Sequence, residues 1–160
     1  MVRTNELELD NIEEALRAFI RIAKKPRLWE EYTIRAKVDI DRPSATILLI
    51  LSYQALTFQT LVNHLGIEAP SVSRKVHELE SQGLIIRAPS DDRRIHQLQL
   101  SPSGKQVTEE IRRAERSVLS EVLTGWSAQE RRQLVGLLTR LTHNMGHVLE
   151  NSKKIDTRHK

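Results

Sequence analysis

The chain has 160 residues, a formal net charge of +4, 39 % hydrophobic and only 4 % aromatic residues, and no cysteine. That size suits one domain with appendages built on an aliphatic core. The missing cysteines exclude disulfides, thiol redox switching and Cys-based structural zinc. No apolar run approaches the roughly 18 residues that span a membrane, and the opening MVRTNELELDN is polar and acidic rather than a secretory signal, so the cytoplasm is the expected location. The isoelectric point near 9.6 is a mild bias toward polyanions. Part of it comes from Lys153, Lys154, Arg158 and Lys160 at the end of the chain.

Residues 1–9 read as a frayed arm, with Asp10 or Asn11 capping a first helix and Glu13 and Glu14 in its first turn. Ile12, Ala15, Leu16, Phe19, Ile20 and Ala23 then recur at helical spacing until Pro26 interrupts. That stripe must be covered, by the chain's own core or by a second copy. Residues 27–37 hold Trp29 and Tyr32, conspicuous in a chain so poor in aromatics, together with Arg35 and Lys37. Asp41-Arg42-Pro43-Ser44 starts a helix whose Ala45, Ile47, Leu48, Ile50 and Leu51 are apolar nearly all round, as a central buried helix requires. Ser52 to Thr57 connects onward, and Thr57 is placed to cap a helix over Phe58–Leu65 that Gly66 stops.

A second short helix opens at Ala69-Pro70-Ser71 and closes at Gln82-Gly83. Val72, Val76 and Leu79 share one face. At about 100° per residue the opposite face carries Pro70, Ser73, Arg74, His77 and Glu78, flanked by Ser71 and Lys75. Its charges balance, so it is not a basic stripe. Two short strands follow, Leu84–Arg87 and Ile95–Leu100, around a charged tip, Ala88-Pro89-Ser90-Asp91-Asp92-Arg93-Arg94. Helix, glycine turn, helix, hairpin is the order of a winged helix-turn-helix. The N-terminal half of the second helix is what such folds present to the major groove, so Ser71, Ser73, Arg74, Lys75 and His77 are the candidate contacts. Arg74 suits a guanine edge or a phosphate. Arg93 or Arg94 at the tip suits a minor groove, with Asp92 holding the guanidinium in place.

Leu65-Gly66, Ser71-Val72-Ser73-Arg74, Leu79-Glu80, Gly83-Leu84-Ile85, Arg87, Asp92-Arg93-Arg94, Leu100-Ser101 and Gly104 together resemble the DNA-binding core of the MarR family of bacterial regulators. The family's usual Leu-Thr after the wing is Leu-Ser here. The resemblance covers about a quarter of the chain, and the flanks agree in helix order and length more than in motif. It implies a homodimer, a pseudo-palindromic double-stranded DNA operator and a ligand-responsive repressor. It also implies that the first helix packs on the partner protomer, and that Trp29, Tyr32 and Arg35 lie where relatives have a cleft for a small aromatic or phenolic ligand. Trp29 and Tyr32 read equally as core residues. The family's Cys-based oxidant sensing is excluded in this chain.

After the wing, Ser101 caps a long helix with Pro102 at its first position. Val107, Ile111, Ala114, Val118, Leu119 and Val122 line one face until Gly125. Ser127-Ala128-Gln129-Glu130 is a capping box that opens a last helix carrying Leu134, Leu137, Leu138, Leu141, Met145 and Val148. From Asn151 the chain reads as a polar tail.

The expected architecture is therefore mostly α with a small β-hairpin wing, a MarR-like winged helix-turn-helix. Residues 1–40 and 102–150 form a helical dimerisation lobe, 41–101 the DNA-binding lobe and 151–160 the tail. His143 and His147 have a chelating i, i+4 spacing, but no Cys accompanies them and carboxylates are sparse, so neither a metal site nor a cofactor is expected. No phosphate loop, nucleophile elbow or H-E-x-x-H motif suggests an enzyme. The alternative function is a winged-helix protein-interaction module without specific DNA binding, which the charge-balanced second helix would fit.

Overall fold

The computed structural model describes residues 2–89 and 96–156. The elements run α1 (Val2–Ala23), α2 (Pro26–Ala36), α3 (Arg42–Leu51), β1 (Leu56–Thr57), α4 (Phe58–Leu65), α5 (Ala69–Ser81), β2 (Ile85–Pro89), β3 (His96–Leu100), α6 (Pro102–Val122) and α7 (Ala128–Asp156). The chain divides into two compact units, Met1–Val118 and Leu119–Lys160. Among the described residues no helix is long and apolar enough to cross a membrane.

The first unit is organised around α3. Asp41 caps it by accepting the Ser44 amide at 2.7 Å, and Ala45, Ile47, Leu48 and Leu51 are buried along it. Around this helix Leu61 of α4, Leu79 of α5, Leu98 of β3 and Ile111 of α6 are at most 1 % exposed. Burying each such side chain contributes about 1.5–3 kcal/mol. Ala36 and Ile40 are buried in the same core, with Trp29 and Val38 packed against it. Residues 29–40 thus help build the lobe that the motif occupies.

The sheet has the strand order β1-β3-β2 and is antiparallel throughout. The stretch before Thr57, expected only to connect, contributes the edge strand β1 by pairing Leu56 with Leu98. Two residues with one buried side chain leave no alternation to read. The hairpin strands are shifted from expectation: β2 starts at Ile85 and runs to Pro89, opposite His96. Pro89 is tolerated there because β2 is the other edge strand and ends at that residue.

Three helix boundaries also differ from expectation. No frayed arm precedes Asp10, since α1 is helical from Val2. The stretch before Asp10 holds no breaker, and Glu6, Leu7, Glu8 and Leu9 are good or neutral helix formers. α6 stops at Val122, short of Gly125. α7 continues through Asn151 to Asp156, so the proposed tail is helical that far; no Gly or Pro stands between Asn151 and Asp156 to end it. In the second unit the expected capping box is present: Glu130 accepts from the Ser127 amide at 2.7 Å, and Ser127 Oγ accepts from the Glu130 amide at 3.2 Å.

Candidate nucleic-acid interface

Local chemistry sets the two helices of the motif. Thr57 Oγ1 accepts the Thr60 amide at 3.2 Å and starts α4. Gly66, at φ 63°, closes it in the left-handed conformation that glycine adopts without steric cost. Glu68 precedes α5 without capping it through its side chain, and Pro70 sits in the first turn. The first-turn amides of α5 therefore lack a side-chain acceptor, and the positive end of a helix dipole favours an anion there.

On α5, Val72, Val76 and Leu79 are buried at 0, 1 and 0 % exposure. Ser73, Arg74 and His77 are exposed and Ser71 is half-buried. These four candidate contacts are gathered on the outward side, and Arg74 makes no ion pair among the described residues. Lys75 is held apart from them. Its ammonium bonds the Asp41 carboxylate and, at 2.8 Å, Glu78 Oε2. Burial pushes the Asp41 carboxyl up, but the hydrogen bonds from Lys75 and Ser44 outweigh it and leave its pKa below the ordinary 3.8. The bonds to Asp41 and Glu78 raise Lys75 in turn. Lys75 thus braces α5 against the capped end of α3, a role that sequence separation concealed.

The wing is tied at its base. Arg87 on β2 grips Glu80 at the end of α5 through two hydrogen bonds of 2.6 and 3.3 Å. Ser101 does more than cap α6: its Oγ accepts the Gly104 amide at 2.9 Å and donates to the Gly83 carbonyl at 2.6 Å. Its own amide donates to the Leu84 carbonyl at 3.0 Å. A Cβ on Gly104 would lie 1.9 Å from that same Leu84 oxygen, so glycine is what lets α6 approach the backbone leading into β2. The Leu-Ser-x-x-Gly spacing was the available signal. Asp92, Arg93 and Arg94 at the wing tip lie outside the described residues.

The three candidate ligand residues are only partly brought together. Trp29 donates its indole N–H to the Ile40 carbonyl at 3.2 Å and meets Tyr32 edge to face, centroids 6.1 Å apart. Burial, with the Glu115 charge second, raises the Tyr32 phenol. Arg35 bonds Glu31 at 2.7 Å and Ser117 at 3.0 Å. It borders a shallow cleft of about 400 Å³ with Glu110, Arg113, Ala114 and Ser117. Trp29 and Tyr32 are not among that cleft's walls. A second cleft, about 370 Å³, is framed by Tyr53, Gln99, Lys105 and Arg112, with the Arg112 guanidinium 5.0 Å above the Tyr53 ring. Its walls come from two stretches far apart in sequence, 51–55 and 99–112, which is why the sequence did not reveal it.

This fold is a winged helix-turn-helix. The MarR family model matches residues 38–95, the stretch that forms the winged-helix lobe. The chain is 30 % identical over 104 residues to YdgJ, an uncharacterised HTH-type transcriptional regulator of Bacillus subtilis (strain 168); the match spans 63 % of this chain and 63 % of that protein. A MarR family protein from Bacillus stearothermophilus superposes with a TM-score of 0.77 at 22 % identity, covering 88 % of this chain and 97 % of that one. FabT of Streptococcus pneumoniae, solved in complex with DNA, superposes with a TM-score of 0.68 at 21 % identity, covering 88 % and 99 %.

Proposed function

We propose that the protein is a DNA-binding transcriptional regulator, not an enzyme, that acts as a homodimer on a pseudo-palindromic operator. The observation that carries this reading is the outward face of α5. Ser73 and Arg74 are exposed along the N-terminal half, and His77 one turn further on, of a helix whose other side is buried at Val72, Val76 and Leu79. That is the half a helix-turn-helix presents to base edges, and Arg74 has the fork geometry for a guanine. FabT's complex with DNA supports the same use of the shared fold. Ser71 joins that face, while Arg93 or Arg94, oriented by Asp92, reaches the adjacent minor groove. Lys75 acts indirectly, by bracing α5.

Exposed apolar side chains support the dimer. Ile12, Phe19 and Ile20 on α1 are 53, 68 and 47 % exposed, and Leu137, Leu138 and Met145 on α7 are 58, 46 and 57 % exposed. Patches of this kind mark interaction surfaces. The two recognition helices then address half-sites about 10 bp apart. The regulator represses, and a small aromatic or phenolic anion relieves repression by changing the spacing of those helices. Arg35 and Arg113 at one cleft supply cationic groups for it, with Trp29 and Tyr32 stabilising the helix that carries Arg35.

The second reading, a protein-interaction module, draws on Lys75 being consumed within the fold, which leaves α5 with one unpaired cation among its described residues. A mobility-shift titration of the full chain against DNA upstream of its own gene separates the two. A discrete complex at submicromolar protein, competed by the same duplex and not by a scrambled one, supports the regulator. Binding without sequence preference promotes the interaction module.

A further inference from the structure

On α7 the rings of His143 and His147 meet edge to face with centroids 4.4 Å apart, and their Nε2 atoms are 3.2 Å apart. The separation is the span that a metal ion requires. With metal–nitrogen bonds of about 2.0–2.1 Å, two ligands at a tetrahedral angle lie about 3.3 Å apart, and at a right angle about 2.9 Å. The observed distance falls between these. We infer that His143 and His147 form a two-imidazole clamp for a divalent transition cation of the zinc, nickel or copper class.

Position on the helix keeps the clamp accessible. At about 100° per residue, His143 and His147 lie within about 40° of each other and nearly opposite the stripe of Leu134, Leu138, Leu141 and Met145. A second copy covering that stripe leaves the clamp in solvent. Among the described residues no third imidazole, thiol or carboxylate completes a ligand set, so the two imidazoles carry the proposal. Binding needs no net proton release: the Nε2–H that donates across the pair moves to Nδ1, and both Nε2 lone pairs face the ion. Arg140, three residues before His143, is an opposing charge nearby, which limits affinity without blocking the chelate. Imidazole is a ligand these cations share, whereas magnesium and calcium prefer oxygen.

The test is a titration of the full, tag-free chain with zinc chloride in competition with a chromophoric chelator, repeated with His143→Gln, His147→Gln and His64→Gln. One tight equivalent per chain is expected. Each α7 variant should weaken it by at least the roughly 10–100-fold that even outer-shell changes cost, and His64→Gln should leave it unchanged. Copper(II) loaded at one equivalent should show two equatorial imidazole nitrogens by electron paramagnetic resonance, and one in either α7 variant. Both residues are exposed, so folding, checked by circular dichroism, is unaffected. Wild-type affinity in either α7 variant, or no tight equivalent in the parent chain, overturns the assignment.

Discussion

Lys75 on α5 closes onto Asp41, the residue that caps α3, so a single carboxylate serves both helices of the reading head. Removing it should cost the cap and the brace together. Asp41→Ala is expected to lower stability by about 0.5–2 kcal/mol at neutral pH, the range for an N-cap. The pH dependence follows from the sign of the shift. The folded pKa lies below the ordinary 3.8, so this stabilisation is complete above that value and is lost as pH falls through the folded one. Urea unfolding of the parent and the variant should show a clear gap at pH 7 that narrows below pH 3.8.

Two glycines should respond in opposite directions. Gly104→Ala places a methyl 1.9 Å from the Leu84 backbone carbonyl oxygen, and α6 must move away from the residue that leads into β2. A loss of about 3 kcal/mol or more is expected, at the upper end for overpacking. Gly136 lies inside α7 with nothing within 4 Å of the added Cβ, so Gly136→Ala should stabilise by about 0.5–1 kcal/mol. Thermal unfolding of the two variants checks both signs.

Much of this architecture was legible in the residues. The Val72, Val76, Leu79 stripe, the Thr57 and Asp41 caps and the Gly66 turn are local signals, and local chemistry decided them. What was missed is non-local. β1 exists only because Leu56 meets Leu98, and no two-residue strand announces itself. The bond from Lys75 to Asp41, 34 residues earlier in sequence, could not be read from α5 alone. The α1 boundary was misread because Asp10 and Asn11 are good caps, yet nothing before them breaks a helix. On the candidate site, the exposed face of α5 was readable from periodicity, whereas the cleft at Arg112 required distant segments to meet.

The dimer reading makes its own prediction. Phe19→Glu on α1 and Leu138→Glu on α7 place charges on surfaces proposed to be covered by a second copy. Each should shift the chain toward monomer in sedimentation velocity at micromolar concentration. The buried core of the first unit does not involve either residue, so its helical circular dichroism should persist.

Arg74 and Lys75, adjacent in sequence, should separate cleanly. Arg74→Ala is expected to cost about 1–3 kcal/mol of operator binding and to relax preference at one base position. Lys75→Met should instead lower fold stability and leave the sequence preference intact. Selection from randomised duplexes with each variant reads the two effects.

The most direct measurement is fluorescence anisotropy of the full chain on its selected duplex across a series of salt concentrations. A helix and a wing that neutralise phosphates predict a linear fall of log affinity with log salt, about 0.9 per phosphate contacted, with Arg94→Ala reducing the slope by about one. A slope near zero, with affinity unchanged as salt rises, would contradict the account and leave the winged helix as a surface for another protein.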